Sequence, residues 1–233
     1  MCHILRPFAS DLWITEGPVI NFGAGFAYPT RMAAIRLADG SLFIWSPVAL
    51  NEELKAEIDA LGRVACLVSP NLLHHLYLGE WKAAYPHARL IASPGLKRRC
   101  RNDLAFDDVL GEAPYPLWAG QIDQVLFHGS FAMIEAVFFH RASKTAIFAD
   151  LIQNFRPGWF KGWRGVLARL AGIVAPDYGA PRDWCASFLR RRTARDSLNR
   201  ILDWPIEKVL IAHGDCANKD GAGFVRRAFS WLI

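Results

Sequence analysis

The sequence predicts an α/β fold. Short runs of β-branched and apolar residues, the pattern of buried strands, alternate along the chain with amphipathic segments of helical periodicity. Hydrophobic residues make up 52% of the 233 residues and charged residues 21%, so the chain can bury a sizeable core. Three of the predicted strands end in a histidine or an aspartate, and strand ends are where open α/β architectures bind ligands and metals.

Composition also limits the class of protein. No apolar run approaches the roughly 18 residues that are needed to span a bilayer. The first residues, MCHILRPFASDLW, lack the charged region and the following apolar region of a secretory signal. The cysteines are scattered, and their spacing does not match a metal knuckle; they are Cys2, Cys66, Cys100, Cys185 and Cys216. Reduced thiols in a cytoplasmic protein are therefore expected.

The first part of the chain is predicted to be a meander of strands at residues 12–15, 32–37 and 42–45. Asp39-Gly40 joins the last two strands, and this dipeptide is a strong hairpin signal. Residues 21–26 are rich in glycine, but they lack the glycine pattern that binds phosphate before a helix. We therefore predict a loop over residues 21–26.

A helix is predicted to follow Asn51 and to continue through Leu61. The side chain of asparagine is a favoured N-cap, because its oxygen accepts a hydrogen bond from a free backbone N–H of the first turn. Glu52 and Glu53 lie in that first turn, where the helix dipole favours negative charge.

A pair of adjacent histidines follows the next strand, Val64–Val68. Pro70 ends this strand and disfavours helix in the residue before it, so His74 and His75 are expected on the loop or first turn after the strand. A segment compatible with helix, residues 76–85, comes next. Two interpretations remain open at this point. Both rings bind one ion, or one ring is buried and hydrogen-bonded while the other is solvated.

Later strands repeat the pattern of an apolar run that ends in a polar residue. The predicted strands are Arg89–Ala92, residues 124–127, Glu135–His140, residues 145–150 and residues 208–212, and helices are predicted at residues 195–202 and 221–233. Asp150 ends one strand and His213 follows another. An aspartate at a strand end is usually a turn or a helix cap. Three strand ends that carry His, Asp and His in this order, all of them able to bind a metal, are harder to explain in this way.

Three stretches of the sequence, VSPNLLHHLYLGEW, AVFFHRASKTAIFAD and KVLIAHGD, resemble the metallo-β-lactamase fold superfamily, and in particular a bacterial branch of it. The resemblance covers roughly residues 12–215. It implies an αββα four-layer sandwich in which two mixed sheets stack between outer helices, with the metal ligands on loops along one edge. Residues 1–233 would then form a single domain, with a basic, Trp-rich helical insertion at about residues 152–195.

The signature of the superfamily, His-x-His-x-Asp-His, is altered in this chain. When His75 is aligned with the last histidine, His74 takes the position of the aspartate. Pro70 and Leu72 then take the positions of the first two histidines, and neither of these side chains binds metal. The resemblance therefore implies that the first metal site is lost.

Two later motifs of the superfamily have counterparts. Asp150 matches the aspartate that bridges the metals, and His213 with the following glycine matches the late histidine. The remaining family histidine has no clean match, because Ala132 occupies its position and His128 comes four residues too early.

The resemblance implies one remaining metal site, built from His74, His75, Asp150 and His213. Imidazole and carboxylate ligands suit a single Zn or Fe ion. A hydrolase of ester, thioester or phosphoester substrates is one functional hypothesis. The alternative is a catalytically inactive protein of the same fold, in which His75, Asp150 and His213 form a metal-free hydrogen-bonded cluster and the cleft binds a small-molecule ligand or a partner.

The segment between Asp150 and the last strand carries most of the positive charge. Residues 155–195 contain nine Lys or Arg and two Asp, whereas the whole chain has a net charge of +5. Residues 163–174 place their apolar side chains on one helical face, after Trp159 and Phe160. Residues 156–174 either lie on an anionic membrane surface or form a lid helix whose apolar face packs on the sandwich. No nucleic-acid binding is expected, because aromatic and basic residues are interleaved over only a short stretch.

Overall fold

Eleven strands and seven helices are formed by residues 4–100 and 104–233, the parts of the chain that this computed structural model describes. The strands are β1 (Arg6–Ala9), β2 (Leu12–Phe22), β3 (Phe26–Arg36), β4 (Leu42–Trp45), β5 (Val64–Val68), β6 (Arg89–Ala92), β7 (Asp108–Val109), β8 (Ile122–Phe127), β9 (Glu135–His140), β10 (Thr145–Asn154) and β11 (Lys208–Gly214). The helices are α1 (Glu52–Leu61), α2 (Leu78–Ala84), α3 (Leu96–Arg99), α4 (Trp163–Leu170), α5 (Arg182–Ala186), α6 (Arg191–Leu202) and α7 (Gly221–Ala228). Cys2 lies outside the described residues.

The strands form two mixed sheets. The first contains β1 to β7 in chain order, antiparallel from β1 to β4 and parallel from β4 to β7. The second has the order β11-β10-β9-β8, with β10 and β11 parallel and the other pairs antiparallel. Successive side chains of a strand point to opposite faces, so a sheet buried on both faces needs apolar residues at nearly every position. The strand sequences VACLV, EAVFFH and TAIFAD satisfy this requirement.

Helices cover the outer face of each sheet. A core that includes Phe43, Trp118 and Phe138 fills the space between the two sheets. On the outer face of the first sheet, α1 and α2 bury Leu54, Ile58 and Trp81 among other apolar side chains. On the outer face of the second sheet, α6 and α7 bury further apolar side chains, among them Leu198 and Val225. The predicted αββα sandwich is therefore confirmed, and β5, β10 and β11 are strands of its two sheets.

The loop predicted over residues 21–26 is shorter in the structure, because β2 extends to Phe22 and β3 begins at Phe26, which leaves residues 23–25 as the turn. The two strands pair as far as Phe22 and Phe26, and the turn between them places Ala24 and Gly25 at positive φ. Pro18 and Pro29 interrupt the strand pattern in the sequence, and Phe22 is exposed. The ends of β2 and β3 are therefore strands because their backbones pair with each other, and not because alternate side chains are buried. A register shift between Glu16 and Val19 accommodates Pro18.

Other boundaries move by a few residues. The structure begins α6 at Arg191 rather than at residue 195, ends α7 at Ala228 and extends β10 to Asn154. The predicted insertion, residues 152–195, contains α4 and α5, and the single-domain assignment stays a prediction. In the described part of the chain, no helix is long and apolar enough to cross a membrane. Cys66 and Cys185 carry free thiols whose pKa is raised by burial, to about 11 for Cys185.

The predicted cap of α1 is confirmed. The Oδ1 atom of Asn51 accepts a hydrogen bond from the backbone N–H of Leu54 at 2.8 Å, which occupies one of the donors that have no partner inside the helix. Asn51→Ala is expected to lower the free energy of unfolding by about 1 kcal/mol, whereas Asn51→Asp keeps the acceptor and should cost much less. Urea unfolding of the three proteins tests this, and equal midpoints for Asn51→Ala and wild type would contradict it.

Candidate metal centre

Three side chains from different parts of the chain meet at one edge of the sandwich. His74 lies in the turn that follows β5, Asp150 lies in β10 and His213 lies near the end of β11. Each residue contributes one ligand atom, and these atoms all lie within 4.8 Å of one another. Within residues 4–100 and 104–233, this is the only group of three or more histidine, cysteine or acidic side chains that is placed to hold a metal ion.

The two histidines approach different oxygens of one carboxylate. Nε2 of His74 lies 3.2 Å from Oδ2 of Asp150, and Nε2 of His213 lies 3.2 Å from Oδ1. Two ligands of a tetrahedral zinc ion, each about 2.1 Å from the metal, are separated by about 3.4 Å. The observed separations are thus close to those of a metal site, although they also fit hydrogen bonds. The three side chains are only 6–8% exposed.

The hydrogen bond of Nδ1, the second ring nitrogen of His213, helps to distinguish a metal site from a metal-free hydrogen-bonded cluster. Nδ1 lies 2.8 Å from the backbone oxygen of Pro29, and a carbonyl oxygen can only accept. Nδ1 therefore carries the proton in the neutral ring, and Nε2 presents a lone pair to the Asp150 carboxylate. Two electron-rich atoms at 3.2 Å require a cation, which is either a metal ion or a second proton on the ring. The donor set therefore fits a metal ion.

The ring of His74 is held by its neighbours on β4 and in the turn after it. Its Nδ1 atom lies 2.6 Å from Oγ of Ser46, and either atom can be the donor. The ring of Trp45 lies 6.0 Å from the imidazole, centroid to centroid, and limits its rotation from one side. Both contacts orient Nε2 toward Asp150, as contacts behind a metal-binding histidine commonly do.

Two amides hold the carboxylate of Asp150. Asn71 donates to Oδ2 at 2.8 Å, and Gln153 donates to Oδ1 at 3.4 Å. Burial alone would raise the pKa of Asp150, but the hydrogen bonds and charges of His213 and His74 outweigh it and lower the pKa well below its usual range. Asp150 is therefore an anion in the folded protein, which a cation-binding site needs.

Glu135, which the sequence analysis did not single out, holds the backbone around Asp150 in place through hydrogen bonds. Its carboxyl group is fully buried and accepts the backbone N–H groups of Ala149 and Asp150, both at 2.8 Å, and the amide of Asn71 at 3.0 Å. Burial and the charge of Asp150 raise the pKa of Glu135, whereas the N–H donors favour its ionised form. Asn71 thus donates to both carboxylates and links them.

The pairing of the strands explains why Glu135 is needed. β10 pairs with β9 only from Thr145 to Ile147, and its register with β11 shifts between Phe148 and Gln153. The N–H groups of Ala149 and Asp150 would otherwise be buried without acceptors, and Glu135 provides them. The signal in the sequence is an acidic residue at the start of the apolar strand EAVFFH, which is unfavourable in a core unless the carboxylate has partners.

The other candidate histidines lie apart from this group. His75 is adjacent to His74, but the structure places it outside the three-residue group, and among the described residues its Nδ1 is buried without a hydrogen-bond partner. Burial lowers the pKa of His75. His128 binds Glu112 at 2.5 Å, and His140 binds Ser143 at 2.8 Å at the opposite end of β9 from Glu135. The metal-free interpretation expected His75 to contact Asp150, and in the structure His74 makes this contact instead.

Comparisons with known proteins agree with the fold. Residues 24–158, more than half of the chain, match the protein family that is described as a domain of unknown function, DUF4336. No curated protein matches the sequence. Many solved structures have a fold similar to that of this chain over nearly its whole length, and many of these structures are metallo-β-lactamases.

Three of these structures illustrate the similarity. The metallo-β-lactamase from Pontibacter korlensis has a TM-score of 0.62 and 12% identity, and the match covers 98% of this chain and 97% of that one. The mono-zinc form of FIM-1 from Pseudomonas aeruginosa has a TM-score of 0.62 and 10% identity, with 98% and 96% covered. The metal-soaked Flv1 flavodiiron core from Synechocystis sp. PCC6803 has a TM-score of 0.64 and 12% identity, with 98% and 60% covered. These matches confirm the metallo-β-lactamase fold, and at such low identity they show the fold alone.

Proposed function

The chain belongs to the DUF4336 family, and from its metallo-β-lactamase fold and its His-Asp-His group we propose that it is a hydrolase that uses a single metal ion. One observation carries the proposal. The Nε2 atoms of His74 and His213 face the two oxygens of the Asp150 carboxylate at 3.2 Å. Nδ1 of His213 donates its proton to the backbone oxygen of Pro29, so Nε2 is free to bind an ion. Two imidazoles and one carboxylate are a ligand set for Zn²⁺ or Fe²⁺.

The residues around the group have separate roles in this proposal. His74 and His213 would hold the ion through Nε2, while Ser46 and the backbone of Pro29 fix the orientation of the two rings. Asp150 supplies the only negative charge of the ligand set. A divalent ion held by these residues would supply Lewis-acid chemistry and would lower the pKa of a water molecule toward 7. The substrate class that we propose is an ester, a thioester or a phosphoester.

Tyr28 and Gln153 line the His213 side of the site. The hydroxyl of Tyr28 donates to Oε1 of Gln153 at 3.2 Å, and its ring contacts the imidazole of His213 edge-on at 5.1 Å. Burial and the charge of Asp150 raise the pKa of Tyr28, so its hydroxyl keeps its proton at neutral pH. Tyr28 therefore holds Gln153 in place as a hydrogen-bond donor and does not act as a base.

The burial of the three ligands favours a second candidate function. Their exposed fraction of 6–8% leaves little access for a substrate, and Pro70 and Leu72 provide no second site. In this second function, the ion stabilises a catalytically inactive protein that binds a ligand or partner through its cleft. Metal binding is common to both functions, and turnover separates them.

The two adjacent histidines provide a matched pair of variants for testing the metal site. His74→Ala is expected to weaken zinc binding at least about a hundredfold, since it removes a ligand, and loss of a mere supporting contact already costs about tenfold to a hundredfold. His75→Ala should keep the zinc affinity within about threefold of the wild-type value. This change is smaller than the roughly tenfold loss that removal of a supporting contact causes. Competition with a chromophoric chelator measures both affinities. An equal loss in the two variants would show that His75 is also a ligand.

Turnover requires a separate assay with the full chain. Zinc-loaded and iron-loaded wild type are assayed on model esters, thioesters and phosphoesters, with Asp150→Asn and His74→Ala as controls. Hydrolysis that falls with metal removal and in both variants supports the hydrolase. Metal binding without hydrolysis of any of the three classes supports the inactive candidate, and the absence of metal binding contradicts both.

A further inference from the structure

The amphipathic helix α4 turns its apolar face to solvent. Trp163, Val166, Leu167 and Leu170 are 46–59% exposed, and they follow the spacing of one helical face. The opposite side packs inward through Ala168, which is buried against Phe155 and Phe160. The lid-helix interpretation, in which the apolar face packs on the sandwich, therefore does not describe this helix. We call the four exposed residues together with Trp159, which is also exposed, the α4 surface.

The tip of the β2–β3 hairpin extends the α4 surface. The indole N–H of Trp159 donates to the carbonyl oxygen of Ala27, and Nε of Arg164 donates to that of Ala24, both at 2.9 Å. The ring of Phe26 contacts the ring of Trp163 with centroids 6.0 Å apart. Phe22, near the end of the same hairpin, is also 53% exposed. Hairpin and helix thus present one connected apolar area, and such areas on soluble domains mark interaction sites.

The two chain segments that form this area carry charge of one sign. Residues 17–30 and 155–176 contain no Asp or Glu, and they contain Arg156, Lys161, Arg164 and Arg169. Arg156 pairs with Asp215, which lies outside these two segments, and Arg164 lies over the ring of Trp163. In the described part of the chain, Lys161 and Arg169 have no carboxylate within ion-pair distance. Arg156 and Arg169 also line a small cavity of about 200 Å³ beside α4.

We propose that the α4 surface docks on the surface of an anionic lipid bilayer. Tryptophan, leucine and valine enter the boundary between headgroups and acyl chains, where the indole ring finds both apolar and polar surroundings. Lys161 and Arg169 lie beside the apolar face and are placed to meet lipid phosphates, and the cavity between Arg156 and Arg169 receives one headgroup. Charge complementarity favours the bilayer over a protein partner, because the two segments that form this surface carry four Lys or Arg and no Asp or Glu.

This inference does not depend on the proposed hydrolase activity. The α4 surface contains none of the three candidate metal ligands, and its apolar residues are solvent-exposed, whereas the ligands are buried. Substitutions on it should therefore leave zinc binding unchanged. Thermal melting without zinc serves as the folding control for every variant, so the test stands whether or not the proposed metal site exists.

Flotation with lipid vesicles tests the proposal. Wild type is mixed with vesicles of phosphatidylcholine alone, or of phosphatidylcholine and phosphatidylserine in equal parts, at low and high salt. Wild type should bind the anionic vesicles and release at high salt, because screening weakens the attraction. Leu167→Gln/Leu170→Gln should weaken binding at least about tenfold through the lost apolar burial. Lys161→Gln/Arg169→Gln should weaken it about thirtyfold, and only on anionic vesicles.

Matched controls carry the same substitutions at the other end of the sandwich. Leu117 is exposed in the turn before β8, and Lys144 lies in the turn between β9 and β10. Leu117→Gln and Lys144→Gln should bind vesicles as wild type does. Absence of wild-type binding to anionic vesicles, or equal binding by Leu167→Gln/Leu170→Gln, overturns the proposal. A wild-type dimer that becomes a monomer in the same double variant also overturns it, because the surface is then an interface between two copies.

Discussion

Asp150→Asn is expected to weaken zinc binding by more than about a hundredfold and to abolish the stabilisation that zinc gives to wild type. The variant loses the only anionic member of the ligand set, and a neutral amide oxygen is a poorer donor to Zn²⁺. Wild type at a zinc concentration of 100 times the Kd gains about 2.7 kcal/mol from binding. For a chain of this length, this gain raises the melting temperature by about 5 to 10 °C.

Thermal melts of wild type and Asp150→Asn, each with and without zinc, measure this effect. Asp123→Asn is a matched control, because Asp123 pairs with Arg141 near the far end of the sandwich. Asp123→Asn should keep the full response to zinc. A zinc response of equal size in Asp150→Asn and wild type would remove Asp150 from the ligand set.

The same melts without zinc test the metal-free interpretation through their dependence on pH. The pKa of Asp150 is lower in the folded protein than the unfolded value of about 3.9. Its ionised form therefore contributes stability that is present above about pH 4 and is lost as the pH falls through the folded value. If the group is only a hydrogen-bonded cluster, Asp150→Asn is less stable than wild type at neutral pH regardless of zinc, and the difference shrinks in acid. Identical melting curves under all conditions would show that Asp150 has neither role.

Glu135→Ala is expected to lower the free energy of unfolding by about 3 to 5 kcal/mol, one of the largest effects of any single substitution in this chain. The substitution leaves the N–H groups of Ala149 and Asp150 without their acceptor and removes one of the two acceptors of the Asn71 amide, in a region with no access to solvent. Each buried donor that loses its partner costs about 1 to 3 kcal/mol. The cavity that the shorter side chain leaves adds to this cost.

Glu135→Gln separates the loss of hydrogen bonds from the loss of volume. Glutamine keeps one carbonyl acceptor and nearly the same size, but its NH₂ group faces N–H donors, so we expect a smaller loss, about 1 to 3 kcal/mol. Urea unfolding ranks the three proteins, and hydrogen exchange reports the amides of residues 149 and 150 directly. A loss below about 1 kcal/mol for Glu135→Ala would show that these amides find other acceptors.

The parts of the fold that the sequence predicted are those that local patterns determine. Runs such as VACLV and TAIFAD are apolar at every position, which fits strands buried on both faces. Asn51 caps α1 through contacts within four residues of chain. Asp150 and His213 could be chosen in advance, because each directly follows an apolar run that is recognisable as a strand, although β10 continues to Asn154.

The remaining features depend on contacts that the sequence does not encode locally. Adjacent residues such as His74 and His75 point in different directions, and the turn after Pro70 decides which of them faces Asp150. The helical period of α4 defines an apolar face but not the direction in which it points. The role of Glu135 follows from a shift of register between β10 and its neighbours, which only the assembled sheet reveals.

Anomalous scattering from crystals grown with zinc tests the metal site most directly. We expect one zinc peak between Nε2 of His74, Nε2 of His213 and the carboxylate of Asp150, with metal–nitrogen distances of about 2.0 to 2.1 Å. His75 should lie outside the coordination sphere, and no second ion should lie beside Pro70 and Leu72. Two zinc peaks about 3.5 to 4 Å apart would contradict the single-metal site. The absence of a zinc peak between the three side chains, in crystals grown at saturating zinc, would contradict it as well.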